Sequence, residues 1–205
     1  VLCLFVVQHT ALAQLNEDFE GTFPPTGWAI FDNGVQQNQS WEQQTDGSNS
    51  YAYIEFSSST TVLAEDWLVT PKLLPDAMNN TLTFDATDEF DDVFGSVYTV
   101  RVSTTSQTDR SSFTEEASYT EADFTVGVFQ PFSVDLSAYA GQEIYVAFVL
   151  ENTRGDSWLL DNVSGPPLAT VTTVPNCDAA LTTPAPNALG DVPVLVGAVK
   201  LASLS

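Results

Sequence analysis

The segment that decides the fold is EIYVAFVLEN, residues 143–152. Successive side chains of a β-strand point to opposite faces of its sheet, and in this segment both faces are apolar. One face carries Ile144, Val146, Phe148 and Leu150, and the other carries Tyr145, Ala147 and Val149. A strand with two apolar faces must be covered on both sides, so we expect this segment to be a central strand of the core.

Other short runs repeat this period of two and end at Gly, Pro, Asn, Asp or Ser. In SVYTVRVST, residues 96–104, one face is apolar and the other is polar. Further predicted strands are LNEDFE (15–20), GWAIFD (27–32), YAYIEF (51–56), DWLVTP (66–71), NTLTFDA (80–86), FQPFSVDL (129–136) and SWLLDNV (157–163). No segment of helical length keeps an apolar stripe. About ten short strands without intervening helices predict an all-β fold, either an antiparallel sandwich or a jelly roll.

The charge of the chain is strongly acidic. It contains 27 Asp and Glu residues against 5 Lys and Arg, which gives a net charge of −22. Phosphate backbones and anionic membrane surfaces repel such a surface, which excludes nucleic acid as a class of partner. The same surface favours divalent cations wherever several carboxylates converge.

The first residues, VLCLFVVQHTALAQ, form an apolar run followed by Ala11-Leu12-Ala13, a small-x-small pattern. We expect residues 1–13 to be a secretory signal peptide, truncated at its start because the run begins at Val1 without an initiator Met or a basic segment. An uncleaved membrane anchor is the alternative, but the run is too short to cross about 30 Å of hydrocarbon. The mature protein is therefore predicted to be secreted or held at the cell surface, without membrane insertion.

Cleavage of this segment would remove Cys3 and His9. The mature chain would then have no histidine, and Cys177 would be its only cysteine. This composition excludes Ser-His-Asp triads, Cys-His dyads and zinc sites with histidine ligands, and it excludes a disulfide within one chain.

The composition changes at GPPLATVTTVP, residues 165–175, which is rich in Pro and Thr. We expect one domain over residues 14–165, a linker over residues 166–175 and a further fragment over residues 176–205. The fragment opens with NCDAALTTPAPNALGDVPV and resembles the beginning of the fibronectin-type or immunoglobulin-like modules of bacterial surface proteins. We expect downstream domains to follow in the same polypeptide.

The first predicted strand places Asp18 and Glu20 on one face. Two carboxylates at this spacing repel each other unless a cation or water separates them. A hard cation with oxygen ligands suits an exported acidic protein. A solvated first strand explains the same residues equally well.

Asp161 lies in the last predicted strand, within SWLLDNVS at residues 157–164. Alternation places Asp161 on one face with Leu159 and Val163, and it places Asn162 on the opposite face. The Asp161 carboxylate is therefore expected to be half-buried and to need a partner.

The partner of Asp161 is predicted from the order of the strands. The first and last strands of a closed sandwich are often neighbours, which would bring Asp161 towards Glu20 or Asp18. Together with Asp32 of FDNG or Glu55 of YAYIEF, these acids would form a calcium cage of four oxygens.

Tryptophans offer a second kind of candidate, because their rings stack on sugars. Trp28, Trp67 and Trp158 lie in strands with apolar periodicity, so we expect them in the core. Trp41 lies in the polar segment NQSWEQQTDG and is predicted to be exposed and to bind ligand.

Two further interpretations of the acidic residues concern a loop and a catalytic site. The segment DATDEFDD, residues 85–92, is either a calcium-binding loop or a solvated hairpin loop, since it lacks the glycine and the regular spacing of an EF-hand loop. Paired carboxylates also serve glycosidases built on jelly rolls. The sequence shows no compact acid cluster of the kind those enzymes use, and we expect no enzymatic activity.

The ordered set of segments resembles the MAM-like jelly-roll modules of bacterial surface proteins. This group includes the choice-of-anchor J domain and the cleaved-adhesin modules of secreted bacterial proteases. The resemblance covers residues 16–164 and is carried by EDFEGTFPPTGWAIFDNG, SYAYIEF, DWLVTPKL, LTFDA, YTVRVSTT, FSVDLSAYAGQEIYVAFV and DSWLLDNV.

The resemblance implies a two-sheet antiparallel jelly roll with concanavalin-like architecture, often stabilised by calcium. It implies a non-catalytic adhesion module that binds a glycan or a protein within a larger extracellular protein. The alternative is a structural accessory domain of a secreted protease or glycosidase.

The resemblance also points to individual metal ligands. The acid of the family's DFE motif corresponds to Glu20, and the first acid of its WLLDD motif corresponds to Asp161. Its W-L-x-T/S-P strand corresponds to residues 67–71. Two positions depart from the pattern, since Glu55 stands where relatives usually have Asp and Asn162 replaces the second acid of the DD pair.

Overall fold

A computed structural model describes residues 13–35 and 39–169. Their strands are β1 (Gln14–Glu17), β2 (Ala29–Asp32), β3 (Glu42–Asp46), β4 (Asn49–Ile54), β5 (Ala64–Val69), β6 (Thr81–Asp88), β7 (Val97–Ser103), β8 (Thr114–Thr120), β9 (Gln130–Asp135), β10 (Tyr145–Asn152) and β11 (Trp158–Pro167). Helical structure in these residues consists of single 3₁₀ turns at Arg110–Ser112, Glu121–Asp123 and Ser137–Tyr139. Within the described part of the chain, no helix is long and apolar enough to cross a membrane.

The strands form two antiparallel sheets. The first sheet has the order β3-β4-β11-β6-β9, with β1 also paired to β11, and the second has the order β2-β5-β10-β7-β8. The all-β, two-sheet jelly-roll sandwich predicted from the sequence is thereby confirmed.

The central position predicted for residues 143–152 is also confirmed. Strand β10 lies between β5 and β7, and its Phe148 side chain is fully buried between the two sheets. On the opposite face, Ala147 and Val149 pack in a second apolar cluster with Trp67, which Phe113 covers from a loop. Both faces of β10 are therefore covered, as its double apolar pattern requires.

Strand β11 joins the first and last parts of the domain. Residues 158–160 pair with β4, residues 163–167 pair with β1, and β6 pairs along the other side. The first and last strands are neighbours, as predicted. The adjacent ends of β1 and β4 meet beside Asp161, and this junction is the place where the predicted metal ligands were expected.

The C-terminal boundary of the domain differs from the prediction. Strand β11 continues to Pro167, Leu168 forms a bridge with Leu73, and the Ala169 N–H donates to the carbonyl of Lys72. Residues 166–169 therefore belong to the sandwich, and the linker was predicted to begin too early, because two prolines resembled an interruption. The remainder of the predicted linker, the signal segment up to residue 12 and the fragment over residues 176–205 lie outside the described residues.

Candidate functional site

Asp161 is the most enclosed of the predicted metal ligands, with 3% of its surface exposed. Its Oδ2 accepts a hydrogen bond from the side-chain amide of Asn49 at 3.0 Å. Its Oδ1 accepts a hydrogen bond from the backbone N–H of Asn162 at 2.7 Å. The buried carboxylate of Asp161 thus has two amide groups as hydrogen-bond donors.

A β-bulge follows Asp161 and changes which residues share its face. The register with β6 shifts between Asp161 and Ser164, and Asn162 has a φ of 49°, a left-handed conformation that Asn tolerates better than most residues. Val163 consequently points into the core with Leu160. The prediction that Val163 shares a face with Asp161 was wrong, because strict alternation does not survive the extra residue of a bulge.

The segment after β1 brings Glu20 to the same junction. Phe19 has a φ of 52° and places its ring in the core against Trp28. On either side of it, Asp18 accepts a hydrogen bond from the Glu20 N–H, and Glu20 accepts one from the Ser50 N–H at 2.7 Å. Glu20 therefore contacts Ser50, and the neighbouring Asn49 donates a hydrogen bond to Asp161.

The electrostatics show that a further acid belongs to this junction. Burial raises the pKa of Asp161, the bonds from Asn49 and Asn162 oppose this shift, and the charges of Asp85 and Glu20 add to it. Asp85 lies opposite Asp161 on β6, and it accepts a hydrogen bond from the Asn162 side chain at 3.0 Å. The junction thus brings together the carboxylates of Glu20, Asp85 and Asp161, and carboxylate oxygens are the ligand type that calcium takes.

Asp32 and Glu55 do not join this group. Asp32 lies in the other sheet, on β2, where it pairs with Asp66 of β5. Glu55 follows the far end of β4, beyond the pair of Ile54 with Trp158. The four-oxygen cage that included one of these residues is not assembled. Among residues 13–35 and 39–169, no three acidic, His or Cys side chains stand in an arrangement that could hold a metal ion.

Trp41 is buried, so the prediction that it is an exposed ligand-binding residue was wrong. Only 3% of it is exposed, its ring packs on Trp158 at a centroid distance of 5.6 Å, and its Nε1 donates to the carbonyl of Asp66. The polar neighbours of Trp41 in the sequence lie outside the core, while its own ring points inward. The burial predicted for Trp28, Trp67 and Trp158 is confirmed.

Exposed apolar side chains concentrate in the loops at one end of the sandwich. This end carries the loops 55–63, 89–96, 121–129 and 153–157, which adjoin one another because the strands that they connect are paired. The exposed large apolar residues in these loops are Val62, Leu63, Phe90, Val93, Phe94 and Val128. An apolar patch kept in water on an acidic domain indicates a binding surface.

A groove of about 220 Å³ lies in this patch. It is lined by Phe56, Phe90, Phe94, Arg154 and Gly155. The ring of Phe90 meets those of Phe56 and Phe94 edge to face, with centroid distances of 5.8 and 6.3 Å. The three rings form an angular recess and not a flat platform.

Arg154 gives the groove a positive charge. Lys72, Arg101 and Arg110 are each paired with a glutamate, at Glu143, Glu151 and Glu65 respectively. Arg154 is exposed and forms no such pair with the described residues. Its guanidinium is available to donate hydrogen bonds to a ligand.

Buried carboxylates hold the loop that carries Phe90 and Phe94. Asp156 accepts hydrogen bonds from the N–H groups of Glu89 and Phe90 at the start of the loop. Glu121 accepts bonds from the N–H groups of Gly95 and Ser96 at its end.

The predicted loop over residues 85–92 is in fact a strand as far as Asp88, and only residues 89–92 belong to the connection.

Comparison with known proteins places the fold. Neither a family model nor a curated protein matches the sequence. The K1 cleaved adhesin domain of Lys-gingipain from Porphyromonas gingivalis W83 matches with a TM-score of 0.59 and 23% identity, over 74% of this chain and 96% of that domain. The corresponding values are 0.58, 24%, 74% and 98% for the K3 domain, and 0.54, 19%, 75% and 97% for the K2 domain. The chain therefore shares the fold of cleaved adhesin domains.

Proposed function

We propose that this domain is a non-catalytic extracellular binding module, which attaches a larger secreted or surface protein of a bacterium to a glycan or a protein. The observation that carries the proposal is the groove of Phe56, Phe90 and Phe94 beside the unpaired Arg154. The other aromatic side chains among the described residues are buried, as Trp67 is, or half-buried.

The groove has the chemistry of a small recognition site. Phenyl rings remove the apolar face of a sugar or of a side chain from water, and a guanidinium fixes the orientation of the ligand by hydrogen bonds. The net charge of −22 disfavours polyanionic ligands, so the groove suits neutral ligands or ligands with a single acidic group. The fold shared with domains described as cleaved adhesins supports a role in attachment.

We also propose that calcium stabilises the junction of β1, β4 and β11. Glu20 and Asp161 would supply carboxylate oxygens, with Asp18, Asp85 and Asn162 close by. The proposal is supported by the repulsion between carboxylates at the junction, since the charges of Asp85 and Glu20 both act on Asp161. Small inward movements of exposed side chains would be needed, because the described side chains are not arranged as a finished metal site.

The extracellular location rests on the predicted signal segment and on the acidic composition. The predicted absence of catalysis rests on the missing histidine chemistry and on the lack of a compact acid cluster.

A glycan array combined with a pull-down from extracellular protein mixtures tests the binding function. We expect the purified full chain to retain a defined glycan or protein. Signal no higher than that of an unrelated acidic protein in both assays would contradict the proposal and favour a structural accessory domain of a secreted hydrolase. Turnover of a polysaccharide by the same preparation would contradict the assignment as non-catalytic.

A further inference from the structure

Asp88, the last residue of β6, has a buried carboxylate without a partner. Only 1% of the residue is exposed, and neither Oδ1 nor Oδ2 accepts a hydrogen bond from another of the described residues. Tyr98 is also fully buried, and the charge of Asp88 acts on its hydroxyl. A buried carboxylate left in this state is costly, so its presence calls for a ligand that residues 13–35 and 39–169 do not supply.

The neighbouring groups increase this cost. Asp156 and Glu121 both repel the charge of Asp88, together with Asp91. The oxygens of Asp156 and Glu121 already accept hydrogen bonds from backbone N–H groups of the loop. Among the described cationic side chains, Lys72, Arg101 and Arg110 pair with glutamates elsewhere, and Arg154 lines the neighbouring groove but not this cavity.

A cavity of about 350 Å³ opens beside Asp88. The acids that line it are Asp88, Asp91, Asp92 and Glu121, and the remaining walls include Phe90 and Phe124. Asp91 and Asp92 are exposed on the loop after β6 and can turn towards the cavity without breaking the core. The cavity also has room for water molecules, which complete the coordination of calcium in many sites.

We propose that this cavity binds a divalent cation of the calcium class, with Asp88 as its buried ligand and with Asp91 and Asp92 as ligands from the loop. The hard oxygen donors and the accumulated negative charge favour calcium over softer metals. No three of these acids already converge in the described residues, so the loop closes on the cation as it binds.

This site is distinct from the junction at Glu20 and Asp161. Asp161 pairs with Asp85, whereas Asp88 pairs with Trp158, which places the two positions three residues apart along β6. That separation is about 10 Å in a strand. The proposed cation would also fix the loop that carries Phe90 and Phe94, but its binding does not depend on the ligand of the groove.

Calorimetric titration of the chelator-treated full chain with calcium chloride tests the site. We compare the wild type with Asp88→Asn and use Glu20→Gln as the matched control, because it removes a carboxylate at the other junction. Binding in the range of 10⁻⁴ to 10⁻³ M is typical of extracellular modules. We expect Asp88→Asn to lose one calcium per chain that Glu20→Gln retains.

Thermal melting gives a second readout for the same variants. In chelator, Asp88→Asn should melt at a higher temperature than the wild type, because it removes an unpaired buried charge while keeping the shape of the side chain. If Asp88→Asn does not fold, Asp91→Asn/Asp92→Asn replaces it, and we expect at least tenfold weaker binding at this site. Equal calcium stoichiometry and affinity in the wild type and these variants would overturn the proposal, as would a wild type that binds no calcium.

Discussion

The carboxylate of Asp161 accepts a hydrogen bond from the side chain of Asn49, although the two residues are 112 positions apart in the chain. The contact exists because β4 and β1 lie end to end along the same side of β11. The Ser50 N–H, one residue after Asn49, is held by Glu20. A single short segment of β4 thus links the acids from the beginning and the end of the domain.

Removal of an acid from this junction should weaken its response to calcium. To isolate the junction from the cavity at Asp88, we would introduce Glu20→Gln or Asp161→Asn into the Asp88→Asn protein. At millimolar calcium, a site with a Kd of about 10⁻⁴ to 10⁻³ M stabilises the fold by about 0.4 to 1.4 kcal/mol. We expect the melting temperature of Asp88→Asn to rise with calcium and that of either double variant to stay constant. A melting temperature of Asp88→Asn that is the same in calcium and in chelator would refute calcium binding at Glu20 and Asp161.

The local pattern of the sequence is sufficient to predict nine of the eleven described strands and the approach of Glu20 to Asp161, but it misses the edge strands β3 and β8. The central position of β10 is predicted by the apolar residues on both of its faces. The pairing of the first and last strands is predicted by closure of the sandwich. Asp85 was missed at the junction because its pairing with Asp161 depends on the register between β6 and β11. No local feature of either strand specifies that register.

The errors at single residues have a common physical cause. Trp41 and Asp88 lie in polar or acidic segments, yet both side chains are buried. A segment of polar residues predicts the average exposure of its members, but one side chain can point inward when the backbone passes over the edge of the core. The path of the backbone at such positions depends on contacts with distant strands, which a single sequence does not display.

The pH dependence of stability should report on Asp66. Burial, reinforced by the charge of Asp32, raises the pKa of Asp66 to about 7. The folded state therefore binds this proton more tightly than the unfolded state, and the contribution of Asp66 to the free energy of unfolding falls as the pH rises from about 4 to about 7. Asp66→Asn should remove this loss and raise the free energy of unfolding at pH 8 by about 4 kcal/mol, with little change at pH 4.

Urea denaturation at a series of pH values measures this effect. Asp46→Asn is the matched control, because it changes the net charge equally at an exposed position of the β3–β4 hairpin. Parallel pH profiles for the wild type and Asp66→Asn would show that Asp66 is not the group responsible.

Gly155 should be intolerant of any side chain. A Cβ at this position would lie 2.2 Å from Ser96 Oγ and 2.5 Å from Asn152 Cβ. Ser96 Oγ also accepts a hydrogen bond from the Asp156 N–H, so its displacement would disturb the loops at both sides of the groove. We expect Gly155→Ala to lower the free energy of unfolding by about 1 to 3 kcal/mol in chemical denaturation.

Gly21→Ala provides the comparison for Gly155→Ala, since no atom lies within 4 Å of a Cβ at Gly21. We expect Gly21→Ala to remain close to the wild type. Equal stability of the two alanine variants would indicate that the loops around Gly155 adjust without cost.

Truncation of the groove should weaken binding without affecting the fold. Phe90 and Phe94 are 39% and 43% exposed, so Phe90→Ala and Phe94→Ala remove contact area from a ligand and little from the core. Loss of one central aromatic contact commonly costs more than 1 kcal/mol of binding free energy. Loss of two such contacts would therefore raise the Kd by about tenfold or more. Arg154→Gln should weaken binding most for ligands that carry a carboxylate, because the guanidinium pairs with that group.

The measurement is the Kd of each variant for the glycan or protein that the array or the pull-down identifies, determined by calorimetry. Met78→Ala is the control, because Met78 is 88% exposed in a loop outside the groove. Unchanged melting temperatures would show that the variants remain folded. If Phe90→Ala, Phe94→Ala and Arg154→Gln all bind as tightly as Met78→Ala, the ligand occupies another surface and the groove is not the binding site.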